Sequence, residues 1–222
     1  MNIKFAEANG LSKRVCYLER KIKLKKLIIF IIVICTMTLS SVIYAEENDM
    51  TRAELANEMM NVYEYITQKF TIPSSEKPIF EDVDKTVPFA IRIEQAYALH
   101  FMGGVGDQKF MPNESVSKEQ TATVVYRLIQ RLNTKYNTEL EELKQIEIID
   151  EENIAPWAID SVNYLLSNGL MQLEEGNFYP YSYVSKDDVS HISEKIKSFY
   201  IKPGDNEERI DFETFLSRQY KK

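Results

Sequence analysis

Phe80-Glu81-Asp82-Val83-Asp84-Lys85-Thr86-Val87-Pro88-Phe89-Ala90-Ile91 opens a stretch that runs to Leu132, and its landmarks return further along the chain. Val87-Pro88-Phe89-Ala90-Ile91 recurs as Ala155-Pro156-Trp157-Ala158-Ile159. Phe110-Met111-Pro112 recurs as Phe178-Tyr179-Pro180, and Val116-Ser117-Lys118-Glu119-Gln120 as Val184-Ser185-Lys186-Asp187-Asp188. Each pair is 68 positions apart, as 155 is from 87. One offset shared by three separate blocks marks a structural repeat. The last block has a further copy upstream, Met50-Thr51-Arg52-Ala53-Glu54-Leu55, with Thr51 lying 66 positions before Ser117. The chain therefore reads as a half unit followed by two whole ones.

Each unit carries the signals of a short helix, a loop and a longer helix. Pro88 and Pro156 suit the first turn of the short helix. Phe89, Ala90, Ile93, Ala96 and Tyr97 form one expected buried stripe, and Trp157, Ala158, Val162, Leu165 and Leu166 the other. Gly103-Gly104-Val105-Gly106-Asp107 is a turn that needs positive φ. Asn168-Gly169 is a helix stop.

The long helices announce their starts. Thr51 with Glu54 forms a capping box, Ser117 with Gln120 a second, and Ser185 with Asp188 a weaker third. Behind them run apolar stripes: Leu55, Met59, Val62, Tyr63 and Ile66; Ala122, Val125, Leu128, Ile129 and Leu132; Val189, Ile192, Ile196 and Phe199. Strand signals are nearly absent. The expectation is a mostly α fold in which units pack on one another, because neither helix of a unit can bury its stripe alone.

Residues 1–26 hold eight basic side chains and two acidic ones ahead of the apolar run Leu27 to Cys35. Hydroxyl residues then lead to Ala45-Glu46-Glu47. This is the pattern of a secretory signal cleaved after Ala45. An uncleaved membrane anchor is the alternative, since Leu27 to Ala45 is just long enough to span a bilayer.

Beyond residue 45 the chain holds 19 basic and 32 acidic side chains, a net charge of −13. That disfavours nucleic acid and anionic membrane surfaces as partners. Both cysteines, Cys16 and Cys35, lie in the leader, so the exported part must rest on its hydrophobic core. The expected divisions are a leader 1–45, a partial repeat 46–76, whole repeats 77–140 and 141–201, and a tail 202–222. The tail's Ile210, Phe212, Phe215 and Leu216 form a short amphipathic stretch, a candidate substitute for the missing front helix.

Arg52, Lys118 and Lys186 each stand first in a long helix, where the helix dipole disfavours a cation. Three in register point to sites where an anion meets free backbone N–H groups. Trp157 fits a core anchor or a sugar-stacking ring equally well. Asp82 and Asp150 suit bracing of the short helix. His100 and His191 lack metal-ligand spacing, and no nucleophile elbow, phosphate loop or cofactor motif is present. The residues therefore argue against an enzyme, a metal site and a cofactor.

These residues resemble the S-layer homology family. Phe80-Glu81-Asp82-Val83 is similar to its opening F-x-D-V, Pro156-Trp157-Ala158-Ile159 to its tryptophan block, and Gly104-Val105-Gly106-Asp107 with Phe110 and Pro112 to its glycine loop. Thr51-Arg52-Ala53-Glu54 equals its T-R-A-E signature. The resemblance implies a pseudo-threefold helical bundle whose first repeat lacks its front half.

It also implies a non-catalytic module on the cell wall or cell surface. The implied partner is an anionic, often pyruvylated, secondary cell-wall polysaccharide or a peptidoglycan-linked glycan, bound in grooves between repeats. The glycan-binding residues so implied are Arg52, Lys118, Lys186, Trp157 (with Phe89 as its counterpart) and Gly104. The chain departs from the pattern at His100, which stands where the family has a glycine, and in a last loop one residue short. The alternative is an envelope structural or protein-interaction protein whose repeats keep the fold without binding glycan.

Overall fold

A computed structural model describes residues 48–70, 78–136, 146–201, 209–211, 214 and 217. Asp49–Lys222 forms one compact unit, and the leader lies outside the described residues. Three long helices, α1 (Arg52–Thr67), α3 (Lys118–Tyr136) and α5 (Lys186–Tyr200), alternate with two short ones, α2 (Ala90–Ala98) and α4 (Ile159–Ser167). A single 3-10 turn, Glu151–Asn153, precedes α4. The described part of the chain is mostly α-helical and contains no sheet.

Three backbone hydrogen bonds close the bundle into a ring. The Met50 N–H donates to Val184 O at 2.9 Å, the Val184 N–H to Val116 O at 3.2 Å, and the Val116 N–H to Met50 O at 2.9 Å. All three residues are buried and stand two positions before the first residue of a long helix. Isolated bridges repeat the cycle, with Thr51 paired to Ser115, Ser117 to Tyr183 and Ser185 to Asp49. A buried backbone polar group without a partner is costly, so equivalent residues of the three units supply one another. This is the pseudo-threefold arrangement, with the leading unit represented among the described residues by its long helix alone.

The helices pack in the order the repeats dictate. Short helix α2 lies on α1, α4 lies on α3, and α1 meets both α3 and α5. Leu55, Met59, Val62, Val125, Leu128, Leu132, Val189 and Ile196 fill the centre. Phe110 and Phe178 are fully buried at matching places in the two loops, where a truncation to Ala would cost about 3–5 kcal/mol.

The short helices depart from the expected stripe. Phe89, Tyr97 and Trp157 are exposed, as is Phe199 on α5. Tyr97, though exposed, stands edge-on to the Phe80 ring, with centroids 5.3 Å apart.

Loop geometry explains the aspartates. The Phe110 and Met111 N–H groups donate to the two carboxylate oxygens of Asp82, each at 2.8 Å. Asp150 accepts from Phe178 and Tyr179 in the same way, at 2.6 and 2.8 Å. Both aspartates therefore brace the loop ahead of the long helix, rather than the short helix. Burial pushes the Asp82 carboxyl up, but those N–H donors outweigh it and hold it below the ordinary carboxylate range.

The described tail residues dock on the end of α1, and Thr214 and Ser217 among them are helical. Arg209 Nη1 donates to the Tyr65 and Ile66 carbonyls at 3.0 and 2.6 Å, and Gln68 exchanges two hydrogen bonds with the Ile210 backbone. These contacts cap the end of α1, whose last carbonyls have no partner within the helix. Phe212, Phe215 and Leu216 lie outside the described residues, as do the expected divisions at 76/77 and 140/141.

Candidate functional site

The three basic residues at the helix starts all turn toward the neighbouring unit, and each meets something different there. Arg52 is only 9% exposed. Its Nε donates to Phe110 O at 2.7 Å, its Nη2 to Gly103 O at 2.9 Å, and its guanidinium lies 4.7 Å from the centre of the Phe110 ring. Burial lowers its pKa, partly offset by the nearby Asp82 charge. Arg52 thus ties α1 to the loop of the next unit.

Lys118 is ion-paired with Glu174, and its Nζ lies 5.9 Å from the centre of the Tyr179 ring. Lys186 pairs with Glu54 at 2.8 Å. Burial raises the Glu54 pKa, but the bonds from Lys186 and Thr51 outweigh it and leave the carboxyl below its ordinary range.

The backbone N–H groups at two of these helix starts are not free for an anion. Arg52 and Ala53 N–H donate to Glu114 O and Pro112 O, both at 2.9 Å, and Lys118 and Glu119 N–H to Ser182 O and Pro180 O at 2.8 and 3.2 Å. The next donors belong to the caps, Glu54 N–H to Thr51 Oγ1 and Gln120 N–H to Ser117 Oγ. Ser185 caps α5 likewise, with Asp188 reaching back to it. The neighbouring unit's loop has taken the place that the sequence offered to a ligand.

An open groove of about 590 Å³ lies between the second and third units. Lys118 of α3 forms one wall, Asp188, His191 and Lys195 of α5 another, and Gly169 to Glu174 the third. The left-handed Gly169, φ +62°, ends α4 with its carbonyl turned to Lys195 Nζ at 2.6 Å. Phe178 and Ile192 supply an apolar floor. A second recess of about 210 Å³, between α1 and α5, has Glu54, Glu58 and Lys186 along its walls.

Of the glycan-binding residues implied by the sequence, only Lys118 lines the larger groove. Trp157 is 57% exposed on the turn before α4 and lines neither recess, so it is not a core anchor. Its counterpart Phe89 has φ 61° and is likewise exposed. Gly104 is bare for packing. A Cβ there would stand 2.7 Å from Lys109 O and 2.8 Å from the Phe80 ring. His191, Lys195 and Glu174 were not legible as site residues. The spacing of Asp188, His191 and Lys195 on one helical face was the available signal, and only the neighbouring loop makes it a wall.

The repeat geometry has a counterpart in known proteins. The sequence profile of the S-layer homology domain matches residues 79–122 and 150–189. Those two segments match S-layer homology repeats. Each matched segment takes in a short helix, its loop and the start of a long helix. Such repeats are a surface-anchoring module rather than a catalytic one.

The chain is 30% identical over 106 residues to a cell surface protein of Thermoanaerobacter kivui, covering 46% of this chain and 13% of that protein. It is 27% identical over 100 residues to an endoglucanase of Bacillus sp. (strain KSM-635), covering 43% of this chain and 10% of that enzyme. The chain thus matches about a tenth of the length of these relatives. No helix among the described residues is long and apolar enough to cross a membrane.

Proposed function

We propose that this chain holds itself at the bacterial cell wall by binding an anionic secondary cell-wall polysaccharide, such as a pyruvylated one, in the groove between its second and third units. The observation that carries this reading is the meeting of Lys118 and Lys195 across that groove above an apolar floor. Two ammonium groups lining one groove suit a charged saccharide, whose acid groups pair with the cations. Glu174 is largely exposed, so an incoming acid group displaces it from Lys118 at little cost. Trp157, outside the groove, offers a ring face to a chain long enough to leave it.

The test is co-sedimentation of the purified chain with cell-wall sacculi, before and after acid extraction of their secondary polysaccharide. Binding should vanish on extraction, and Lys118→Ala should weaken it several-fold. Retention on extracted sacculi would mean a peptidoglycan-linked glycan instead.

A second reading is favoured by Arg52. Its two bonds to the next loop and its burial leave it bracing the first unit against the second. An envelope scaffold that recognises proteins, with repeats kept for their packing, needs nothing more. Absence of binding to sacculi before extraction would decide for it.

A further inference from the structure

The turn after Phe178 places an exposed aromatic ring beside one of the groove's cations. Tyr179 is 45% exposed, and Lys118 Nζ lies 5.9 Å from the centre of its ring. Lys118 belongs to the groove wall, as does Phe178, the residue before Tyr179. That separation is near the outer limit of about 6 Å for attraction between a cation and a ring face. The ammonium is ion-paired with Glu174, so the ring is not what holds its charge.

The backbone of Tyr179 is clamped. Its N–H donates to Asp150 Oδ2 at 2.8 Å, and its carbonyl accepts from the Ser182 N–H at 3.1 Å and the Ser182 hydroxyl at 2.8 Å, at a left-handed φ of 55°. Met111, the matching residue of the second unit, is held alike. Its N–H donates to Asp82 at 2.8 Å, its carbonyl accepts from the Glu114 N–H at 3.3 Å, and its φ is 57°. The same loop thus accepts a flexible thioether chain, so the fold does not require a ring at Tyr179. The cations differ as well. Arg52 is buried 4.7 Å from the centre of the Phe110 ring, whereas Lys118 approaches the exposed ring one residue further along its loop.

We propose that Tyr179 is the sugar platform of this groove: a pyranose lays its C–H face on the tyrosine ring while an acid group of the same saccharide pairs with Lys118. The face of an aromatic ring carries negative partial charge and receives C–H groups, whereas an acid group needs the ammonium. The inference rests on the proposed anchoring role and adds to it the residue that selects the ligand. Tyr179 favours a polysaccharide of acid-bearing pyranoses over an acidic polyol chain, which has no ring face to stack.

The experiment is co-sedimentation of the whole purified chain with intact sacculi at about 0.01 M and about 0.15 M salt, where charges are screened beyond about 30 Å and about 8 Å. Tyr179→Met installs the residue that the second unit already carries in this place. It should bind about fivefold more weakly than the unaltered chain, by the same factor at both salt concentrations, because stacking is not screened. Tyr179→Phe keeps the ring face and should bind like the unaltered chain. Tyr181→Ala, which removes a 67% exposed ring from the same turn, should also leave binding unchanged. Lys118→Ala should lose more at the lower salt concentration. Unchanged binding by Tyr179→Met, a loss confined to low salt, or an equal loss in Tyr181→Ala would overturn the inference and leave the anchoring role standing. No binding by the unaltered chain at either salt concentration would overturn both.

Discussion

Arg52 Nε donates to the Phe110 carbonyl at 2.7 Å, so the arginine at the start of the first long helix is a tie to the loop of the unit that follows. Its Nη2 takes the Gly103 carbonyl of the same loop at 2.9 Å. Arg52→Ala would leave both carbonyls without their cationic donor in a poorly solvated place. The expected loss is about 2–4 kcal/mol, read as a lower urea midpoint. Arg52→Lys should recover less than half of it, because an ammonium lacks the planar fork. An unchanged midpoint for Arg52→Ala would show that the loop does not depend on this tie.

Glu64 and Arg92 form a buried ion pair at 2.6 Å, fixing α2 on α1. Arg92 also donates to Asn61 at 2.9 Å and Gln95 at 3.0 Å. Removing one charge strands the other, so Arg92→Met should cost about 3–5 kcal/mol. Replacing both, Glu64→Leu with Arg92→Met, should recover most of that loss. Thermal denaturation of the two single variants and the double one completes the cycle, and additive losses would rule out the coupling.

His100 occupies the left-handed position after α2, with φ 62°. Its N–H donates to Tyr97 O at 2.9 Å and the Phe101 N–H to Ala96 O at 2.9 Å, closing a Schellman motif. A side chain there is strained, and Gly169 holds the equivalent place after α4 without strain. His100→Gly should stabilise the chain by about 1 kcal/mol, a rise of a few degrees in Tm. A fall in Tm would mean that the imidazole contributes contacts worth more than the strain.

Asp82 is held below its ordinary pKa by the Phe110 and Met111 N–H groups despite a raising contribution from burial, and Glu54 by Lys186 and Thr51. A depressed carboxyl stabilises the fold above its unfolded pKa, and that stabilisation is lost as pH falls through the folded value. Tm should therefore be level near neutrality and decline below about pH 4. Asp82→Asn should be less stable at pH 7 and show a shallower acid decline. The comparison is a set of Tm values for both proteins from pH 7 to pH 3.

Much of this architecture was legible because the repeat is written in local signals. Thr51 and Glu54, Ser117 and Gln120, and Ser185 and Asp188 form their caps within four residues of chain, so neither member needs a distant partner. The glycine pattern was less informative. Asp107 and Gln108 in one turn and Glu175 with Gly176 in the other adopt positive φ at matching positions, although only one of the four is glycine. The turn is imposed by its closing bonds, Lys109 N–H to Gly106 O and Asn177 N–H to Glu174 O, each at 2.9 Å.

The sequence by itself determined that equivalent residues recur, that each unit pairs a short helix with a long one, and that a cation begins each long helix. Those features follow from spacing, and spacing is local. Only the tertiary structure decided what each cation meets. Arg52 is enclosed by Phe110 and Gly103, Lys186 faces Glu54 of the first unit, and Lys118 faces a groove whose far wall carries His191 and Lys195. The ring of Met50, Val116 and Val184 brings residues more than sixty positions apart into backbone contact. The same closure that buries those groups also gives the helix-start N–H groups of Arg52 and Lys118 to neighbouring carbonyls. Three similar sequence positions thereby become three different environments, because each is completed by side chains from another unit.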